Sequence, residues 1–242
     1  MHGEILRYEA DGLQMESQLY VDPSFTGVRP GVLVFPEALG LGEHAKSRAQ
    51  RLAALGYVAL ACDLYGGGEV INDFDTIMAE LGVLLNAPER TEARARGGLD
   101  ALLARPEVDP ARIAAIGFCF GGTMSLELAR GGNPIAAAVG FHSGLGTARP
   151  DAAKNIKAKI LVLLGADDPG IGPEPRSAFE AEMRAGKVDW QMKLYGGVLH
   201  SFTNPAADEL GRPDFARYDA VADKRSWEEM IAFFDEIFGQ AN

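Results

Sequence analysis

The chain has 242 residues, 47% of them hydrophobic and 24% charged, with a formal net charge of −11. That length can bury a large core without disulfides or a structural metal, and its two cysteines are too few for a cysteine-rich metal framework. The acidic balance argues against a nucleic-acid partner or an anionic membrane surface. Met1 to Arg7 lacks the apolar core of a secretory leader, and no apolar run approaches a membrane span. The expectation is a cytoplasmic protein with one globular domain over residues 1–242.

In chain order, short apolar runs alternate with longer helical patterns. Residues 31–36 read as a strand and 43–55 as a helix. A second strand at 57–62 is followed by helical patterns at 73–86 and 90–104, then a strand at 112–117 and a helix at 121–130. Strands at 135–139 and 159–164, a helix at 175–186, a strand at 188–195 and a helix at 226–238 complete the series. Continuous apolarity suits strands covered on both faces, as in a parallel sheet. Val188 to Tyr195 alternates instead, which suits a strand near an edge or one with a wetter face. The pattern predicts a mostly parallel, doubly wound α/β sheet with helices on both faces. Sites in such sheets lie at the carboxyl ends of the strands.

The residues after each strand therefore carry the functional reading. Gly117-Phe-Cys119-Phe-Gly121-Gly122 sits between a predicted strand and a predicted helix, the arrangement of a nucleophile elbow with Cys in place of Ser. Its glycines leave room for a tight turn, and the helix start beside Cys119 offers N–H groups to a thiolate or an oxyanion. The bland alternative is a buried structural Cys in a Gly-rich turn. Downstream, the strand at 159–164 runs into Gly165-Ala-Asp167-Asp168, and the strand at 188–195 runs into Gly196-Gly-Val-Leu-His200. Nucleophile, acid, then histidine is the order of a hydrolase triad on such a sheet. Either aspartate could orient His200, the other being a turn cap. The first loop, Pro36-Glu37-Ala38-Leu39-Gly40, is where a second oxyanion N–H is expected, which makes Ala38 and Phe120 the donor pair. Glu37 is unusual there: it is either an acceptor for the thiol proton or an exposed loop carboxylate. Gly66-Gly67-Gly68 lacks the Lys-Ser/Thr of a phosphate loop. Cys62 reads as a core thiol, and residues 66–90 as either a lid or an ordinary amphipathic helix.

Five segments together resemble the dienelactone hydrolase family of α/β hydrolases: 36–40, 61–66, 117–122, 165–168 and 195–202. The resemblance implies a Cys-His-Asp triad that opens an enol-lactone through an acyl-thioester, with no metal, flavin or nucleotide cofactor. Its Gly-x-x-Asp pattern falls on Gly165 and Asp168, which selects Asp168 over Asp167. Its glutamate falls on Glu37 and is thought to contact the resting thiol and move when substrate binds. Enzymes acting on dienelactone itself hold the substrate carboxylate with arginines, one of them four residues beyond the catalytic histidine. Here that position is Asn204, leaving Arg90, Arg94, Arg96 and Arg212 as possible substitutes. His142, after the strand at 135–139, either contacts substrate or caps its strand. The expected activity is cysteine-dependent hydrolysis of a small lactone or ester. A binding protein on the same scaffold, a substrate-shifted carboxylesterase and a Cys62–Cys119 redox pair are the alternatives.

Overall fold

The chain opens with a hairpin that the apolar runs do not announce. In the computed structural model, which describes residues 3–239, β1 (Glu4–Ala10) and β2 (Leu13–Tyr20) pair antiparallel, with Ala10 opposite Leu13. Asp11 and Gly12 make the two-residue turn at φ of 51° and 72°. Left-handed backbone at both positions matches the twist of the flanking strands, and Asp-Gly adopts it at little cost.

β2 runs antiparallel to β4 (Val58–Ala61), and from there every pairing is parallel. The other strands are β3 (Arg29–Phe35), β5 (Val108–Phe118), β6 (Ala137–Phe141), β7 (Lys159–Gly165) and β8 (Trp190–Tyr195). The sheet order is β1-β2-β4-β3-β5-β6-β7-β8, with β8 at one edge as its alternation predicts. The chain leaves β3 toward β4 on one side and returns to β5 on the other. That reversal opens a crevice at the carboxyl ends of β3 and β5, the usual place for a ligand in an open α/β sheet.

Among the described residues, six α-helices cover the sheet: α1 (Glu43–Ala53), α2 (Phe74–Asn86), α3 (Pro88–Leu103), α4 (Phe120–Arg130), α5 (Pro173–Gly186) and α6 (Ala220–Phe238). Alternating residues of the inner strands feed two cores. Leu33 and Phe35 pack with Leu99 and Leu102 of α3, Leu126 of α4 and Phe179 of α5. Val32 and Val34 join Ala49 and Leu52 of α1 with Trp227 and Phe234 of α6 on the opposite face. Each such side chain contributes about 1.5–3 kcal/mol by leaving water. α4 is buried along its whole length, charges included. Its Arg130 is held by Glu182 of α5 at 2.7 Å and by Glu127 at 2.9 Å, so the helix behind the crevice is tied to its neighbour. Residues 66–90 resolve into a loop gathered on Asp63, whose carboxylate accepts the N–H groups of Glu16, Tyr65, Gly66 and Gly68, followed by α2. α2 buries Ile77 and Leu84 and exposes Phe74, Met78, Val83 and Leu85. Among the described residues, no helix is long and apolar enough to cross a membrane.

Candidate active site

β5 delivers Cys119 to the crevice at φ 54° and ψ −119°, in the left-handed half of the map although it is not a glycine. Such a conformation costs about 1–3 kcal/mol and persists only where the surroundings enforce it. Two features do so. The Cys119 N–H donates to the Phe141 carbonyl at 3.0 Å and to His142 Nδ1 at 3.2 Å. Directly after the turn, a Cβ on Gly121 would lie 2.3 Å from the Phe35 carbonyl oxygen and 2.4 Å from that of Pro36. Only a bare residue lets α4 start this close to the end of β3.

The histidine comes from the loop after β8, clamped at both ends of the residue. His200 N–H donates to Phe215 O at 3.1 Å, and Arg217 N–H donates to His200 O at 3.1 Å. The acid comes from the loop after β7. A Cβ on Gly165 would sit 2.3 Å from the Val198 carbonyl oxygen, so glycine allows the two loops to meet. Asp168 is buried and Asp167 exposed. Asp168 Oδ2 accepts from His200 Nδ1 at 2.7 Å, while Oδ1 accepts the Gly170 N–H at 2.8 Å. His200 thus turns Nε2 toward the hydrogen-bonding reach of Cys119. Burial alone would pull the imidazolium down. The neighbouring Cys119 and the hydrogen-bonded Asp168 carboxylate outweigh it and push His200 up to about 10.

The loop after β3 forms the third side. The Tyr65 hydroxyl donates to the Ala38 carbonyl at 2.6 Å, and Gly40 N–H donates to Glu37 O at 3.0 Å, fixing the peptides around Ala38. Phe120 is the first residue of α4, where an N–H has no partner within the helix. Glu37 does not hydrogen-bond to Cys119. Its Oε2 accepts the Asn204 amide, and burial raises its carboxyl, opposed by Asn204, His200, Ser201 and Arg48. Asn204 Oδ1 accepts from Ala206 N–H at 3.0 Å, so this side chain is engaged with the protein at both ends.

His142 lies beneath the elbow rather than on its substrate side. It is fully buried, with Nδ1 taken by the Cys119 N–H and Nε2 2.8 Å from Thr203 Oγ1. His142 thus braces the elbow from beneath, the alternative to a substrate contact, while Asn204 both holds Glu37 and lines the cavity beside it. The sequence pattern did not reveal Thr203, Tyr65, His44 or Arg48, whose roles depend on partners distant in the chain. Among the described residues, no three His, Cys, Asp or Glu side chains converge as metal ligands would.

Comparison with known proteins is decisive for the family. The model of the dienelactone hydrolase family matches residues 19–238. The chain belongs to the dienelactone hydrolase family. A solved structure named m3DLH is 45% identical, with TM-score 0.93, over 97% of this chain and 98% of its own. A dienelactone hydrolase-like promiscuous phosphotriesterase from metagenomic libraries is 43% identical, with TM-score 0.92, over the same 97% and 98%. An Escherichia coli (strain K12) protein provisionally named carboxymethylenebutenolidase is 28% identical over 88% of this chain and 79% of its own. The doubly wound sheet is accordingly an α/β-hydrolase fold, and the protein is a hydrolase of the carboxylic-ester type.

Within this dienelactone hydrolase-type site, the arginines have separate fates. Arg90 and Arg94 both bind Asp11 at 2.9 Å, and Arg96 faces Asp100 at 3.7 Å. Arg212 instead stacks 5.2 Å from the Phe215 ring, which itself packs 5.1 Å from His200. Of the four, it is the one that shares an aromatic neighbour with His200.

Proposed function

We propose that the protein hydrolyses small lactones or esters through an acyl-thioester on Cys119. The observation that carries this reading is the strained Cys119 on its elbow, within reach of a His200 that Asp168 orients at 2.7 Å. The thiolate attacks the carbonyl carbon, and the N–H groups of Ala38 and Phe120 take the developing oxyanion. A donor of this kind lowers a barrier by about 3–4 kcal/mol. The tetrahedral adduct expels the alkoxide or enolate, which takes its proton from His200. Water then attacks the thioester while His200 accepts its proton, the S–C bond breaks, and the carboxylic acid leaves with the thiolate restored. Asp168 holds the imidazole in the orientation and tautomer that both half-reactions need. An enol-lactone suits this machinery because its leaving group requires little acid assistance.

The test is turnover of cis- and trans-dienelactone beside a neutral aryl ester, with wild type and Cys119→Ala. Lactone hydrolysis lost in the variant supports the full reading. Aryl-ester hydrolysis alone, also lost, keeps the nucleophile and moves the substrate to uncharged esters, consistent with Asn204 where an arginine would bind a carboxylate. Turnover that survives the substitution would refute Cys119 as nucleophile. An aryl phosphotriester belongs in the same panel, because the 43% identical neighbour is named for that activity.

A further inference from the structure

The crevice is bridged by a run of contacts that the reaction as written does not use. It starts at the loop after β3. Ile71 N–H donates to the Leu39 carbonyl at 2.9 Å, and Val70 pairs with Gly40 in an antiparallel bridge. Gly40 has φ 97°, and a Cβ there would lie 2.3 Å from the Glu69 carbonyl oxygen, so glycine lets the two segments touch. Asp73 then caps α2 by accepting the Thr76 N–H at 2.9 Å, which makes Phe74 the first helical residue. Segment 70–74 is thus tied at one end to the peptides beside Ala38 and at the other to the start of α2.

Arg212 completes the bridge. Where Arg90, Arg94 and Arg96 meet carboxylates, the Arg212 guanidinium meets two aromatic rings. Its central carbon is 5.6 Å from the centre of the Phe74 ring and 5.2 Å from that of Phe215. Both distances lie within the reach of a cation–π contact, about 6 Å. Phe215 belongs to the histidine side of the site. Its ring is 5.1 Å from the His200 ring, and its carbonyl accepts the His200 N–H at 3.1 Å. A Cβ on Gly170, whose N–H Asp168 accepts, would lie 3.6 Å from the same ring. The Arg212 carbonyl accepts the N–H groups of Phe215 and Ala216 at 2.9 Å, so the guanidinium and the backbone beside His200 belong to one short turn. Phe74 has little else to hold it there. It is 57% exposed, and α2 buries Ile77 and Leu84 alone.

We infer that Arg212 is a specificity-determining residue: stacked on Phe74 and Phe215, it clasps the start of α2 to the His200 segment across the mouth of the crevice and selects substrates small enough to pass beneath. The inference rests on the Cys119 reading for the chemistry below the clasp. The Leu39–Gly40 end of the bridge is fixed by backbone pairing, so opening falls to the Arg212–Phe74 contact. A bulky ester has to break that contact and a small one does not. An exposed cation–π contact of this kind penalises bulk by about three- to fivefold in kcat/KM.

The test compares two neutral esters that share a leaving group, para-nitrophenyl acetate and para-nitrophenyl cyclohexanecarboxylate. Arg212→Ala should raise kcat/KM for the bulky ester about three- to fivefold and leave the acetate within about twofold. Phe74→Leu, a change at an exposed position, should reproduce that shift, and the double variant should add nothing to it. Arg212→Lys keeps a cation at the rings and should stay near wild type. An unchanged ratio of the two esters, additive effects in the double variant, or a lysine variant that behaves as the alanine one would overturn the assignment. A loss confined to carboxylated esters would also overturn it, by making Arg212 a direct substrate contact. Alkylation of Cys119 reads the mouth without any turnover. Iodoacetamide should label wild type and Arg212→Ala alike, while its uncharged N-pyrenyl derivative should label the variant about three- to fivefold faster, scored on the Cys119 peptide. Equal pyrenyl rates would refute the clasp. Ester turnover that survives Cys119→Ala removes the nucleophile reading instead, and leaves the alkylation ratio to decide the clasp.

Discussion

Cys62 and Cys119 come directly after β4 and β5, the two strands that flank β3, and both are free thiols. Around Cys62 the chain continues into Asp63, whose carboxylate gathers backbone N–H groups away from the sulfur. The Cys62 thiol packs among Leu33, Leu60 and Leu99 and points its proton at the Leu60 carbonyl at 3.4 Å. Burial pushes that thiol up strongly, the Val34 contact opposing and the Asp63 charge adding to it. Around Cys119 the chain turns at positive φ into a helix, and the sulfur is half-buried beside an imidazole. Strand position is shared, so the difference in chemistry comes from the segment into which each strand leads. In the proposed mechanism a helix N-terminus and a loop histidine make one thiol the nucleophile, while a carboxylate-centred loop leaves the other as core packing.

The largest test of that contrast is paired substitution. Cys119→Ala should lower aryl-ester kcat by about 10⁴-fold or more, and Cys62→Ala should leave it within about threefold, measured on matched protein preparations. Comparable losses in both would erase the distinction. Next, Asp168→Asn should cost about 10²–10⁴-fold in kcat by disturbing the His200 tautomer, with KM changed little. An unaffected kcat would assign the orienting role elsewhere.

The smallest effect concerns acid. Two neutral histidines, His44 and His142, lie on the Cys119 side, His142 accepting the Cys119 N–H. Burial lowers both imidazoles, first in each case and His142 well below its ordinary value, so the unfolded chain takes up protons below pH 6.5 that the fold refuses. Stability should therefore fall as pH drops from 6.5 toward 3. Relative to His44→Asn, wild type should lose up to about 1.4 kcal/mol more per pH unit across that window. Urea midpoints at pH 7 and pH 5 measure this, and identical pH dependence in the two proteins would contradict a neutral buried His44.

Most of the sheet was legible because parallel strands covered on both faces must be apolar throughout, as in β3 and β7. The hairpin is less legible, although Asp11-Gly12 is a strong turn signal. Its strands are half-exposed, and Glu4, Arg7, Glu9, Gln14 and Glu16 dilute the apolar pattern. The elbow glycines and the order Cys119, Asp168, His200 were readable for the same reason: close approach and loop order leave local marks. Asp167 and Asp168 could be separated only by resemblance, since burial is a tertiary property. His142 follows a strand end, where a substrate contact and a strand cap look alike, and Asn204 stands where the resembling enzymes carry an arginine. Their partners, Cys119 and Glu37, lie 23 and 167 residues away and are invisible to local pattern. His44 and Arg48 do carry a mark, an i,i+4 pair on the predicted helix at 43–55. Its inward orientation becomes meaningful only with Thr203 and Asp223 in place.

The acyl-thioester itself offers the most direct measurement. An aryl ester mixed with the enzyme and quenched in acid within one turnover should leave its acyl group on the tryptic peptide containing Cys119, detectable by mass spectrometry and absent from the Cys62 peptide. Turnover of the same ester with no acyl mass on Cys119, or with the acyl group on another residue, would contradict the account.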